Sequence, residues 1–259
     1  MERHLSRPFR LLAAAQMSLW VIGGCATGLN LPAWGVQFQE TQLERASTSE
    51  AALSRAYTDA TALKLIKDLG PKQAAIVAAG YDLVGARRLE IEGSVYPLDC
   101  SGTILAVYHH AGIDLRPAFE RFSGNGVLRL YRMAAGNGLL ASAAGNPGRY
   151  PAPGDVIFWD NTYDRSRSGQ WDDPLTHAAI VLAVHENGGI EYVHYHYTRG
   201  IIVEHMNLLD PDLHTVSTAA GTVVVNSPMR MRRDRHIRPE AWLASHLYSD
   251  AGALYRGEW

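Results

Sequence analysis

Cys100 sits in the run Asp99-Cys100-Ser101-Gly102, directly ahead of a helical pattern reaching Ala111. A helix N-terminus offers unsatisfied N–H groups and a partial positive charge. Both favour a thiolate, so this context predicts a lowered thiol pKa and a nucleophilic sulfur. The same N–H groups can stabilise an oxyanion beside it. A nucleophile also needs a base, and a base needs an orienting group. His177 heads the apolar run Ala178-Ala179-Ile180-Val181, and His194 and His196 lie on the next strand-like run. Strand residues two apart share a face, so His194 and His196 point the same way. The turn Asn187-Gly188-Gly189 between the runs would make them antiparallel neighbours and bring His177 within reach of His194.

Taken singly, a cysteine is most often a small core hydrophobe, and a strand histidine is most often structural. The order of the motifs separates these residues from that background. Asp-Cys-Ser-Gly at a helix start is followed by Pro153-Gly154-Asp155-Val156-Ile157-Phe158, then His177-Ala-Ala-Ile-Val, then Tyr192-Val-His194. In this order the chain resembles the NlpC-type cysteine peptidases, papain-like bacterial cell-wall endopeptidases, and more distantly the CHAP amidases. The resemblance covers about residues 72–226. It implies an α+β papain-like fold, with Cys100 as nucleophile, His177 as general base and His194 as the polar residue that orients it. It implies amide hydrolysis through an acyl-enzyme, with peptidoglycan stem peptides as substrate, a monomeric enzyme and no cofactor. One departure is that the family's tyrosine, about a dozen residues before the cysteine, is Arg88 here. Tyr81 and Tyr96 are the substitutes for the oxyanion-hole side chain, and His196 is an alternative third residue.

Two other readings compete. Six histidines fall between His177 and His214. Imidazole suits zinc, so His194 and His196 with Asp160 or Asp173 would make a hydrolytic metal site. No His-Glu-x-x-His helix accompanies them, and the Cys100 context would go unexplained. The third reading is a catalytically inactive lipoprotein that holds a cell-wall peptide in the same cleft.

The elements that must position these residues follow from periodicity. Apolar residues at three- and four-residue steps predict helices at 49–68 and 72–87, with a third at 101–111 capped by Gly112. Residues 88–99 read as irregular, and the glycine-rich stretch 116–150 as loop with a short helix at best. Strands are predicted at 156–159, 178–185, 190–197, 201–203 and 222–226. Helices first and antiparallel strands second give an α+β class. The polar stretch 160–175 reads as a solvated insertion, with a specificity loop as the alternative. Its aspartates do not follow EF-hand spacing. Five arginines between 229 and 238 read as a solvated basic tail, with an anionic lipid or wall-polymer contact as the alternative, before a last helix at 240–248.

The N-terminus reads as an export signal. Arg3, Arg7 and Arg10 precede an uncharged stretch from Leu11 to Gly24 that is shorter than the ~20 residues a bilayer span needs. Val21-Ile22-Gly23-Gly24-Cys25 is similar to a bacterial lipobox, which implies a signal at 1–24, a lipidated Cys25 and a tether at 25–48. Ala26 in place of Asp implies the outer membrane in a Gram-negative cell. The alternative is a plain anchor helix with an incidental cysteine. Losing residues 1–24 removes three Arg and one Glu and takes the net charge from −2 to −4.

Composition sets the outer bounds. With 259 residues, 47% of them hydrophobic, the chain can build a core of one large domain or two small ones. Two cysteines exclude a disulfide scaffold, and the mild negative charge argues against nucleic-acid binding. The 24 glycines and 12 prolines argue against a helical bundle.

Overall fold

A computed structural model describes residues 69–143 and 149–259. The export signal, Cys25, the tether and the helix expected at 49–68 lie outside the described residues.

The helical layer begins with α1, Pro71–Asp82, which starts on a proline at its first turn, where a missing N–H costs nothing. It lies tight on the sheet: a Cβ at Gly80 would come within 2.6 Å of Leu182. A two-stranded hairpin follows, β1 (Leu89–Ile91) and β2 (Ser94–Tyr96), in the stretch read as irregular. Then comes the central helix α2, Cys100–His110, in which Gly102 through Tyr108 are all buried. Asp99 caps it by accepting the Gly102 N–H at 2.7 Å, an N-cap contribution of about 1 kcal/mol. Gly102 has no room for a side chain, because a Cβ there would sit 2.1 Å from the Pro97 carbonyl oxygen. The Tyr108 hydroxyl donates to the Gly154 carbonyl at 2.7 Å and ties α2 to the turn that opens the sheet.

The region 116–150 is more helical than its glycine content suggests. It holds α3 (Arg116–Phe119) and the eleven-residue α4 (Gly126–Gly136). Gly126 and Gly136 are the end residues of α4, so its interior keeps the periodicity that buries Val127, Leu130, Met133 and Ala134.

The main sheet contains β3 (Val156–Trp159), β4 (His177–Val184), β5 (Gly189–His196), β6 (Gly200–Asn207) and β9 (Tyr248–Gly252), in the order β6-β5-β4-β3-β9. Every pairing is antiparallel, and the class is α+β. Two points of the terminal region differ from expectation. The last helix, α5, is only Ala244–Leu247, and Tyr248–Gly252 is a strand on the sheet edge beside β3. Thr215–Thr218 (β7) also pairs with Gly221–Val224 (β8) as a separate hairpin.

The sheet is buried on both faces, which explains the unbroken apolar runs in β3 and β4. Val156, Phe158, Ala178, Ile180, Leu182 and Val193 join the core under α1, α2 and α4. Ile157, Trp159, Ala179, Val181 and Tyr192 join a second core with Ala244 and Leu247. The C-terminal segment therefore roofs the second face. It is pinned there by Trp159 Nε1 donating to the Ala244 carbonyl at 2.8 Å and by Ala244 N donating to Ser227 at 2.9 Å.

Candidate active site

The β4–β5 ladder runs from Val184↔Ile190 only as far as Ile180↔Val193. Beyond that pair the β4–β5 ladder ends. The freed Ala178 N–H turns to the Cys100 sulfur, as do the N–H groups of Ser101 and Cys100. By strand alternation His177 and His194 belong to the second face, whereas α2 packs on the first. Cys100, His177, His194 and His196 share one cavity of about 410 Å³.

His177 Nε2 lies 2.8 Å from His194 Nδ1, with the two rings edge to face. His194 Nε2 in turn lies 3.1 Å from Glu204 Oε2, and the other Glu204 oxygen pairs with Arg199. Glu204 is almost fully buried. Burial alone would raise its pKa, but the contacts with His194 and Arg199 outweigh that and hold the carboxyl below its usual range. His177, His194 and Glu204 thus form a chain of imidazole, imidazole and carboxylate closed by the Arg199 guanidinium, and the Cys100 thiol lines the same cavity as the two histidines.

Glu204 Oε2 and His194 Nε2 are 3.1 Å apart but not aligned as a hydrogen bond, so their pairing is electrostatic. An ionised Glu204 favours the proton of His194 on Nε2. His194 Nδ1 is then an acceptor, so His177 carries its proton on Nε2 and leaves the Nδ1 lone pair for a proton. This is the form a general base requires.

Electrostatics correct one expectation. The helix start and its N–H groups pull the Cys100 pKa down, but burial of the sulfur and the negative charge of Asp99 pull harder, and the thiol is pushed up to about 11. His177 lies well below its ordinary value, first through burial and then through the neighbouring His194 and His196. The resting pair is therefore neutral thiol and neutral imidazole, not the thiolate that the helix terminus alone suggested.

His196 also lines the cavity, but it is less engaged. Its Nδ1 faces the Thr198 hydroxyl at 3.1 Å, and its ring centroid is 6.1 Å from that of His194. Neither tyrosine proposed for the oxyanion hole reaches the cavity. The Tyr81 hydroxyl donates to Glu191 at 3.1 Å, and the Tyr96 hydroxyl meets His109 Nδ1 at 2.6 Å in the core beside α2. Tyr163, Tyr195 and Tyr197 line the cavity, and Tyr163 lies within electrostatic reach of Cys100.

Tyr163 belongs to the 160–175 stretch, whose two parts differ. Its tip at 166–170 is exposed, as a solvated insertion would be. Its base is built into the wall, with Thr162 N donating to Thr176 Oγ1 at 2.9 Å and Asp173 buried while accepting the Arg165 and Ser166 N–H groups. Asp160 accepts the Leu175 N–H at 2.7 Å. Asp160 and Asp173 are thus spent on loop structure and do not join the histidines. Among the described residues no group of three or more His, Cys, Asp or Glu side chains could hold a metal ion.

The arginine-rich segment is not a free tail. Met231 N donates to the Thr162 carbonyl at 2.8 Å, and Asp234 Oδ2 accepts the Asp164 N–H at 3.0 Å. Residues 228–232 and Arg235 form one side of the cavity. Sequence reasoning missed Glu204, Arg199, Tyr163 and this wall. The available signal for Glu204 was the short turn Thr198-Arg199-Gly200: it sets His194 opposite Ile202, and Glu204 then falls two residues along on the same face.

No protein-family model, curated protein or solved structure matches the chain significantly.

Proposed function

We propose that the protein is a papain-like cysteine peptidase of the NlpC type that hydrolyses amide bonds in peptidoglycan stem peptides. The observation that carries this reading is that Cys100, at a helix start, lines one cavity with His177 and His194, with Glu204 behind His194.

In the proposed cycle the substrate carbonyl sits beside the Cys100 sulfur. The sulfur attacks the carbonyl carbon while His177 Nδ1 takes the thiol proton, so a neutral pair becomes charged only as the bond forms. In this reading the backbone N–H groups of Cys100 and Ser101, which face the resting sulfur, turn to the oxyanion as it forms. The imidazolium keeps its Nε2–H on His194, and the His194–Glu204 contact balances the new positive charge. The C–N bond then breaks, His177 returns the proton to the leaving amine, and a thioester remains on Cys100. Water attacks the thioester with His177 again as base, releasing the carboxylic acid and restoring the thiol. In this reading the protein is exported and held on the envelope membrane by a lipid on Cys25.

The high Cys100 pKa also suits the second reading, a cleft that binds wall peptides without cleaving them. Incubating the full chain with purified peptidoglycan and weighing the soluble products separates the two. The peptidase reading expects fragments with new amino and carboxyl ends at a stem-peptide amide. Retention on the polymer with no fragments would replace it with the binding reading.

A further inference from the structure

The lining of the cavity is unusually cationic for a protein of net charge −2. Arg199, Arg230, Arg232 and Arg235 all line it, and the only acid among the lining residues is Asp99. Asp99 is already committed to the Gly102 N–H and the Ser101 hydroxyl. Arg199 is neutralised by Glu204. The other three arginines form no ion pair among the described residues.

Arg230 carries the most information. It is 2% exposed, a burial that charged side chains rarely tolerate without a partner. Its Nε donates to the Asp234 carbonyl at 3.0 Å, its Nη1 donates to the Asn161 carbonyl, and its guanidinium lies over the Trp171 ring at 4.6 Å. Its Nη2 is buried and has no hydrogen-bond partner. Arg235 is held over Trp242 at 4.6 Å and donates to the Arg230 carbonyl at 3.3 Å, while Arg232 is exposed at the rim. Asp234, Asp164 and Asp173 lie within electrostatic reach of Arg230, yet none forms an ion pair with it, burial still lowers its pKa, and Nη2 keeps a spare donor.

We propose that these arginines form a carboxylate-recognition subsite, so that the cleft selects peptides with a free carboxylate close to the amide presented to Cys100. The inference rests on the peptidase reading of the same cavity and names its substrate class. A planar guanidinium matches a carboxylate in a two-point fork, and the concave wall admits a group carried into the cleft by a peptide. A flat lipid surface would use arginines on an open face, whereas Arg230 is sunk in the cavity wall. Met229 and Met231 on the same wall supply apolar contact for the peptide beside the carboxylate.

The test uses binding, so it does not depend on turnover. The full chain carrying Cys100→Ala is titrated calorimetrically with a soluble stem peptide in two forms, carboxylates free or converted to amides. The free-acid form is expected to bind about tenfold more tightly, the scale of one charge-assisted hydrogen bond. Arg232→Gln in this background should cut the preference to below about threefold, and Arg230→Lys, which keeps the charge but loses the fork, should also weaken it. Arg233→Gln makes the same charge change outside the cavity, at a residue paired with Asp234, and should leave the preference intact. Equal affinity for both forms, binding of neither, or a preference untouched by both cavity variants would overturn the proposal. So would capture by anionic-lipid vesicles that depends on Arg232 while the two peptides bind alike. Hydrolysis by the unmodified chain is scored separately. Arg232-dependent selection without cleavage removes the peptidase and keeps the subsite, and cleavage of both forms with equal affinity does the reverse.

Discussion

His177 Nε2 and His194 Nδ1 face each other at 2.8 Å across adjacent antiparallel strands, and Glu204 lies 3.1 Å behind His194. The geometry ranks the three residues. His177→Ala removes the proton acceptor and should abolish hydrolysis. Glu204→Gln removes the charge that sets the His194 tautomer and should lower kcat on the order of 10²-fold, within the range of a general-base contribution. His194→Ala should cost a similar factor, because it misplaces the base without removing it. His196→Ala should cost the least. Steady-state kinetics on one stem-peptide substrate checks the order; a loss at His196 equal to that at His177 would not fit it.

The protonation states make a second prediction. With the thiol pushed up to about 11 and His177 held below its usual value, the neutral pair persists across the physiological range. The acid limb of kcat/KM should fall below pH 6.5, since His177 must be unprotonated to act. Iodoacetamide should label Cys100 in a Cys25→Ser chain more than about tenfold more slowly at pH 7 than a free cysteine, with the rate climbing towards pH 11. Labelling faster than a free thiol would indicate a resting thiolate instead.

A third prediction concerns the turn into β3. Asp155 is fully buried, pairs with Arg149 at 2.6 Å and accepts the Ala152 N–H at 2.7 Å. Removing Arg149 leaves a buried carboxylate without its counter-charge, so Arg149→Ala should destabilise the fold by about 3 kcal/mol in urea unfolding at pH 7. Burial already lifts the Asp155 pKa, and losing Arg149 lifts it further. A group with a raised folded pKa contributes fully below its unfolded value and loses that contribution as pH rises through the folded value. The penalty of the variant should therefore be smallest near pH 4 and grow towards neutrality. A penalty that grows on acidification would contradict this.

The lipobox reading of Cys25 gives a fourth. Cys25→Ser should leave the precursor unprocessed or release the protein from the membrane fraction. Unchanged processing and fractionation would remove the anchor from the account.

The arrangement of the candidate site was legible where it is local. Asp99-Cys100-Ser101 is an N-cap and helix start written in consecutive residues, and the alternation of β4 and β5 with their tight turn is enough to pair His177 with His194. Glu204 was not legible in the same way, because its place depends on the β5–β6 register and on Arg199 in the connecting turn. The thiol pKa was misjudged because it depends on desolvation by the whole fold, and the sequence displays only the helix terminus. In α4 the end glycines looked like breakers. In β9 the run Tyr248-Ser-Asp-Ala-Gly252 takes its conformation from an open edge of β3 rather than from its own pattern. The arginine segment looked like a solvated tail because nothing in its spacing reveals that Met231 and Asp234 bind the loop at 162–164.

The central claim is that Cys100 is the nucleophile, and the most direct measurement compares peptide fragments released from purified peptidoglycan by the full chain and by its Cys100→Ala variant at equal concentration. The account predicts fragments from the former and none above the enzyme-free control from the latter, with both proteins showing the same unfolding transition. Undiminished release by Cys100→Ala would contradict it.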